Sequence, residues 1–147
     1  MALDTHISIP VAQLMLDAFV DSFDGGGSPG ELHVFVGAPN ADAAVTPAGA
    51  LLAKLVLSAT SFGAASAASP SVATAAAITS DTSAADTGEA GCFWAGAVAT
   101  PGTIATGKIQ GTAGVSGDTP DLVFDDDMIV IGGTVAITAW TISMPTT

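Results

Sequence analysis

From Pro10 onward the chain reads first with a period near 3.6 residues and then with a period of 2. Val11, Leu14, Met15, Ala18, Phe19 and Phe23 follow the i, i+3, i+4, i+7 spacing of one apolar helix face. Asp17, Asp21 and Asp24 fall largely on the other side. Pro10 suits a first turn, where its missing N–H breaks no helical bond. GGGSPG (25–30) then ends the helix, because glycine accepts the left-handed cap and proline cannot continue. Before the helix, Ile7 and Ile9 stand at alternate positions of residues 3–9, as in an extended arm. Residues 1–30 are therefore expected to be an arm, a short amphipathic helix and a glycine-rich turn.

At Glu31 the period changes. ELHVFVG (31–37) alternates Leu32, Val34 and Val36 with His33 and Phe35, and reads as a strand. ALLAKLVLS (50–58) alternates Leu51, Ala53, Leu55 and Leu57 with Leu52, Lys54 and Val56, a second strand with Lys54 reaching outward. The loop between them holds two prolines. Residues 58–70 are rich in alanine and serine, and helix and loop both fit them. Further strands are expected in SVATAAAI (71–78), GCFWAGAV (91–98), GTIATGKIQG (102–111), residues 122–124, residues 128–131 and the closing run GTVAITAWTISMP (133–145). About eight short strands, with turn signals between them, predict an all-β fold. The expected form is an antiparallel β-sandwich or jelly-roll-like domain over residues 31–147, making one compact domain with the N-terminal helix.

Charge changes the picture more than composition does. Lys54 and Lys108 are the only basic residues besides two histidines, against 14 acids, for a net charge of −12. A nucleic-acid binder displaces counterions from phosphates with Lys and Arg, so DNA and RNA are excluded as partners, as is an anionic membrane surface. Cys92 is the single cysteine, which forbids an intrachain disulfide and reads as a small buried residue. MALDTHISIP lacks the basic and apolar regions of a signal peptide. The most apolar stretch, residues 48–57, is too short to span a bilayer and carries Lys54.

Candidate chemistry is sparse. His6 and His33 are far apart, and no HxH, HxxxH or CxxC spacing exists for a transition metal. His33, alternating with apolar residues, reads as a packed or rim histidine. SDTSAADTGEAGCFWA (80–95) gathers carboxylates, hydroxyls, Cys92 and Trp94, yet its residues are those that cap turns, and it reads as a turn into a strand. DTPDLVFDDD offers Asp118, Asp121, Asp125, Asp126 and Asp127 as oxygen ligands, with Asp125, Asp126 and Asp127 the candidates for calcium. The run lacks the glutamate and glycine of an EF-hand loop, which favours a solvated acidic turn. No catalytic constellation and no cofactor are expected.

The order of motifs carries one resemblance. VAQLMLDAFVDSF, GGGSPG, ELHVFVGAPNADAA, LLAKLVLS with FGAAS behind it, a TG-containing turn before CFWA, GTAGVSGDTPDLVF and IGGTVAITAWTISMP follow in sequence. From about residue 11 to residue 145 the chain resembles the small β-rich decoration or cement proteins of tailed-bacteriophage heads. The resemblance implies a structural virion protein that binds the outside of the capsid and strengthens it. It implies the major capsid protein as partner, a homo-oligomer, often a trimer, and no catalytic residues. Ile7, Ile9, Leu14, Met15 and Phe19 are the expected contacts with shell or neighbouring subunit; that the same helix covers its own sheet is an equal alternative. A tail or baseplate component, a carbohydrate-binding or hydrolytic β-sandwich, and a calcium-dependent adhesin-like module are the competing readings.

Overall fold

Helix α1 spans Ile9–Asp21, with Ser8 at its N-cap and Pro10 in its first turn. It belongs to a computed structural model that describes residues 6–26, 28–115, 117 and 120–146; residues 3–5 of the expected arm, and Asp118, lie outside the described residues. The helix is apolar on two sides, and the buried side is not the one the pattern picked out. Ala12, Leu16 and Val20 enter the core, with Phe23 just beyond the helix, whereas Val11, Leu14, Met15 and Ala18 face solvent. Of the expected face only Phe19 and Phe23 pack against the core.

Polar neighbours account for this choice. Gln13 Nε2 donates to the Ala65 carbonyl at 3.0 Å, and Asp17 Oδ1 accepts the Ala65 N–H at 2.6 Å. Adjacent turns of the helix thus hold both hydrogen-bonding groups of one loop residue. Asp24, in the short 3-10 turn Asp24–Gly26, accepts from the backbone and hydroxyl of buried Ser61. Asp17 and Asp24, expected on the solvent side, are inward acceptors. Residues 58–70, which they strap down, form a loop rather than a helix.

Among the described residues ten strands follow: β1 (Ser28–Phe35), β2 (Leu51–Leu57), β3 (Ser71–Thr74), β4 (Ile78–Thr79), β5 (Gly88–Glu89), β6 (Cys92–Thr100), β7 (Thr103–Val115), β8 (Leu122–Phe124), β9 (Met128–Ile129) and β10 (Thr141–Met144). Six form one sheet in the order β4-β2-β1-β6-β7-β8, and β10–β3 and β5–β9 are two-stranded. The protein is mostly β with one helix, and its main sheet is curled and mixed. The expectation of wholly antiparallel pairing is corrected at β7–β8, which runs parallel with Ala113 opposite Leu122. Asp121 explains how a short return achieves this. Its Oδ2 accepts the Thr112 N–H at 2.9 Å and its own N–H reaches Thr112 Oγ1 at 3.1 Å, so β8 starts beside Thr112.

Both faces of the central strands are covered. Leu32, Val34, Leu55, Phe93 and Ala95 share the larger core with Leu16, Val20, Phe23, Phe62 and Trp140. On the opposite face Phe35, Cys92, Trp94, Val98 and Ile104 form a smaller cluster. This explains why β1 is buried continuously from Gly30 to Phe35 instead of alternating. Register shifts between Ala95 and Gly96, and on either side of Val98, bend the β6–β7 hairpin. At Gly107 any Cβ would overlap the Ala43 carbonyl oxygen and the Trp94 indole, so only glycine lets the 36–50 loop lie that close. Trp94 Nε1 donates to Ala43 O at 2.7 Å and Asn40 N to Gln110 Oε1 at 2.8 Å, fastening the loop there.

Two expected strands are broken. Residues 71–78 yield only β3 and the start of β4, because Ala75 and Ala76 turn to bond Trp140 O and Ser61 O. The run 133–145 is a strand only at β10. Val135 and Ile137 point inward, but the inward phase then slips to Trp140, Ile142 and Met144.

Candidate functional site

The residues expected to meet a partner occupy α1 and the chain just before it. Leu14 is 68% exposed, and Ile9, Val11 and Met15 are also exposed. At 3.6 residues per turn, Val11, Leu14, Met15 and Ala18 fall within an arc of about 100°, opposite the buried Ala12–Leu16–Val20 line. No charged side chain lies within that arc. Ile7 is half-buried. Phe19 turns toward the core, edge-on to Phe23 with ring centroids 5.6 Å apart. One face of the helix therefore covers its own protein, and the other is left bare.

A second cluster was not foreseen. Glu31 and His33 stand two apart on β1, hence on one face, with Lys54 opposite His33 on β2. Glu31 Oε2 lies 2.7 Å from His33 Nε2, and Oε1 accepts the Gly102 N–H at 2.7 Å. Lys54 Nζ donates to the Gly102 carbonyl at 2.6 Å, so it does not simply reach outward. Gly102, at φ +83°, forms with Pro101 the tight turn of the β6–β7 hairpin. Both of its backbone groups are thus gripped by side chains of β1 and β2. A carboxylate only accepts hydrogen bonds, so His33 donates through Nε2. Phe35 and Trp94 wall the imidazole, with ring centroids 6.4 and 6.3 Å from it. A cavity of about 260 Å³ adjoins the cluster, lined by Leu51, Thr103 and Ile104 besides these residues. The arrangement is a structural latch. The signal that could have found it was present: a Glu and a His at strand spacing, a Lys in the next strand, and a Pro-Gly pair.

Burial holds the His33 pKa below its usual 6.5, outweighing the Glu31 hydrogen bond and charge that raise it, while Lys54 lowers it further. The unfolded chain then takes up a proton near pH 6.5 while the folded protein resists until lower pH. Between those values the unfolded state binds more protons, so stability falls as pH drops below 6.5. Urea unfolding across this window should show that decline, and His33→Gln, which keeps an amide donor, should flatten it. A decline of equal slope in both proteins would assign it to other groups.

The other sequence candidates have structural roles. Asp81 Oδ2 accepts the Lys54 N–H at 2.8 Å and Oδ1 the Ser83 N–H at 2.9 Å, and Thr87 Oγ1 accepts from Ile131 N at 2.9 Å. The stretch 80–95 is indeed a turn tied to its neighbours, leading into β6. Cys92 is buried, and burial pushes its thiol pKa up, away from nucleophilic use. Asp125 and Asp126 are exposed, Asp127 is half-buried, and Asp126 Oδ1 accepts the Met128 N–H at 3.0 Å. Among the described residues no three His, Cys, Asp or Glu side chains gather as metal ligands would.

No protein-family model matches the chain, and no match is found among curated proteins or solved structures. Among the described residues, no helix is long and apolar enough to cross a membrane.

Proposed function

We propose that the protein is a structural component of a virion, a decoration protein that binds the outer surface of a phage capsid and stabilises it. The observation that carries this reading is the bare apolar stripe Val11–Leu14–Met15–Ala18. A chain of net charge −12 keeps copies apart wherever its acids lie, and an uncharged apolar face is where it can meet another protein without desolvating a carboxylate. Phe19 flanks the stripe, and Ile9, exposed in the first turn, lies outside its arc. The partners are the major capsid protein and further copies of the chain, arranged as a trimer, where symmetry multiplies a weak contact. The protein acts without catalysis or cofactor. On this reading the fold is a jelly-roll-like sandwich whose second layer is the β3–β10 ribbon with α1, sharing one core with the six-stranded sheet.

Antibodies against the recombinant protein, used for gold labelling of particles from its source lysate, test this directly. Regular label over intact heads is expected. Label confined to tails, or absent from every particle, overturns it. Leu14→Lys separates the stripe from the fold: because Leu14 is largely exposed, unfolding stability should change by no more than about 0.5 kcal/mol. Attachment to heads should be lost. A variant that still decorates heads would move the contact elsewhere.

A further inference from the structure

We propose that the open edge of the main sheet at β8, with the groove beside it, docks an extended segment of a partner protein in which basic and apolar side chains alternate. β8 is the last strand of its sheet, paired with β7 on one side and with no strand on the other among the described residues. Such an edge offers its backbone groups to an incoming strand; β8 is short, and proteins otherwise blunt an edge with lysine, proline or a covering loop. Leu122, Val123 and Phe124 carry none of those residues, and Val123 is 52% exposed.

The groove begins where β8 ends. It has a volume of about 440 Å³ and is lined by Phe124, Ile129, Val130 and Val135, with Asp125 and Asp126 beside them. Met128, Val130 and Ile131 are each more than half exposed. The segment 123–131 therefore presents an apolar surface bordered by carboxylates. An apolar side chain would fill the groove, and a flanking cation would meet Asp125 or Asp126.

Charge also says whose segment this is. The chain has two lysines. Lys54 is committed to the Gly102 carbonyl, and Lys108 lies half-buried within β7. A second copy has no free basic segment to offer, so the occupant is a different protein. This inference stands apart from the virion reading, since it needs only the isolated protein and a partner of this chemistry.

The probe is a blocked hexapeptide alternating lysine and valine, titrated into isotopically labelled protein. Backbone amide shifts should concentrate in residues 122–136. The combined Asp125→Asn and Asp126→Asn variant should weaken binding about fivefold, as for rim charges, with the difference shrinking at high salt. Asparagine preserves the Oδ1 acceptor that Asp126 offers Met128, so the turn survives. N-methylating the peptide at alternate positions leaves the protein untouched and should abolish binding, because strand pairing needs those N–H groups. Equal binding of a lysine–serine peptide would reduce the effect to attraction by an acidic surface and overturn the proposal. So would equal binding of the N-methylated or a glutamate–valine peptide, or shifts centred away from residues 122–136.

Discussion

Phe23→Ala will lower the unfolding free energy by about 3–5 kcal/mol, the range for a large aromatic removed from a packed core. Phe23 is fully buried. Its ring meets Phe19, Phe62 and Trp140 edge-on, with centroids 5.6, 5.3 and 6.2 Å away. Those partners come from α1, from the 58–70 strap and from the segment before β10, so one truncation loosens α1 from the other two pieces, which also meet directly through Phe62 and Trp140 at 5.1 Å. Partial collapse is hindered because Asp24 and Asp17 pin the strap at Ser61 and Ala65. Denaturant unfolding followed by tryptophan fluorescence measures the loss, with Trp140 reporting on the site itself. Phe23→Leu, which refills most of the volume, should recover at least half of it. A loss below about 1 kcal/mol for alanine would mean that the site closes over the gap, and the junction is not as rigid as argued.

The next largest effect should come from the latch. Glu31→Ala removes the acceptor of both Gly102 N–H and His33 Nε2, and Glu31 is only 2% exposed. Removing their acceptor leaves two buried donors unpaired, at about 1–3 kcal/mol each. Glu31→Gln should cost about 1–2 kcal/mol. Its oxygen can accept from one donor, and His33 can shift its proton to Nδ1 so that Nε2 accepts from the new amide. Amide exchange at Gly102 supplies an independent readout. In the alanine variant the hairpin tip should open well before the rest of the sheet, while in the glutamine variant its protection should be largely retained. Equal losses for both substitutions would show that the tip needs the carboxylate itself and that an amide of the same volume cannot replace it.

Much of the fold was legible as local pattern. The 3.6 period of α1 and Pro10 in its first turn marked the helix within a residue or two, although its C-cap is Ser22 in the right-handed region and not a left-handed glycine. The alternation in 31–37 and 50–58 marked β1 and β2, and β8 was placed at its observed bounds. The failures share a cause. In α1, apolar residues occupy both sides, and nothing in the spacing reveals which side finds a neighbour. The 133–145 run keeps a strand-like alternation, yet a phase slip near Ala139 turns Trp140 inward. Periodicity is a statement about one segment, and these outcomes depend on what lies across from it.

The functional residues divide along the same line. Charge balance and the lone Cys92 framed expectations about partner and chemistry, because those arguments need counts and not positions. The latch needed a turn 71 residues beyond Glu31 to be brought onto β1, which only the curl of the β6–β7 hairpin achieves. By itself, then, the sequence determined the helix, most strands, the acidic character and the absence of a motif for metal or nucleophile. Tertiary structure alone decided which helix face is bare, that β8 pairs parallel and ends the sheet, and that the acids Asp17, Asp24, Glu31, Asp81 and Asp121 serve as backbone acceptors. The reason is physical: burial and hydrogen-bond satisfaction are properties of pairs, and the deciding partner here usually lies tens of residues away.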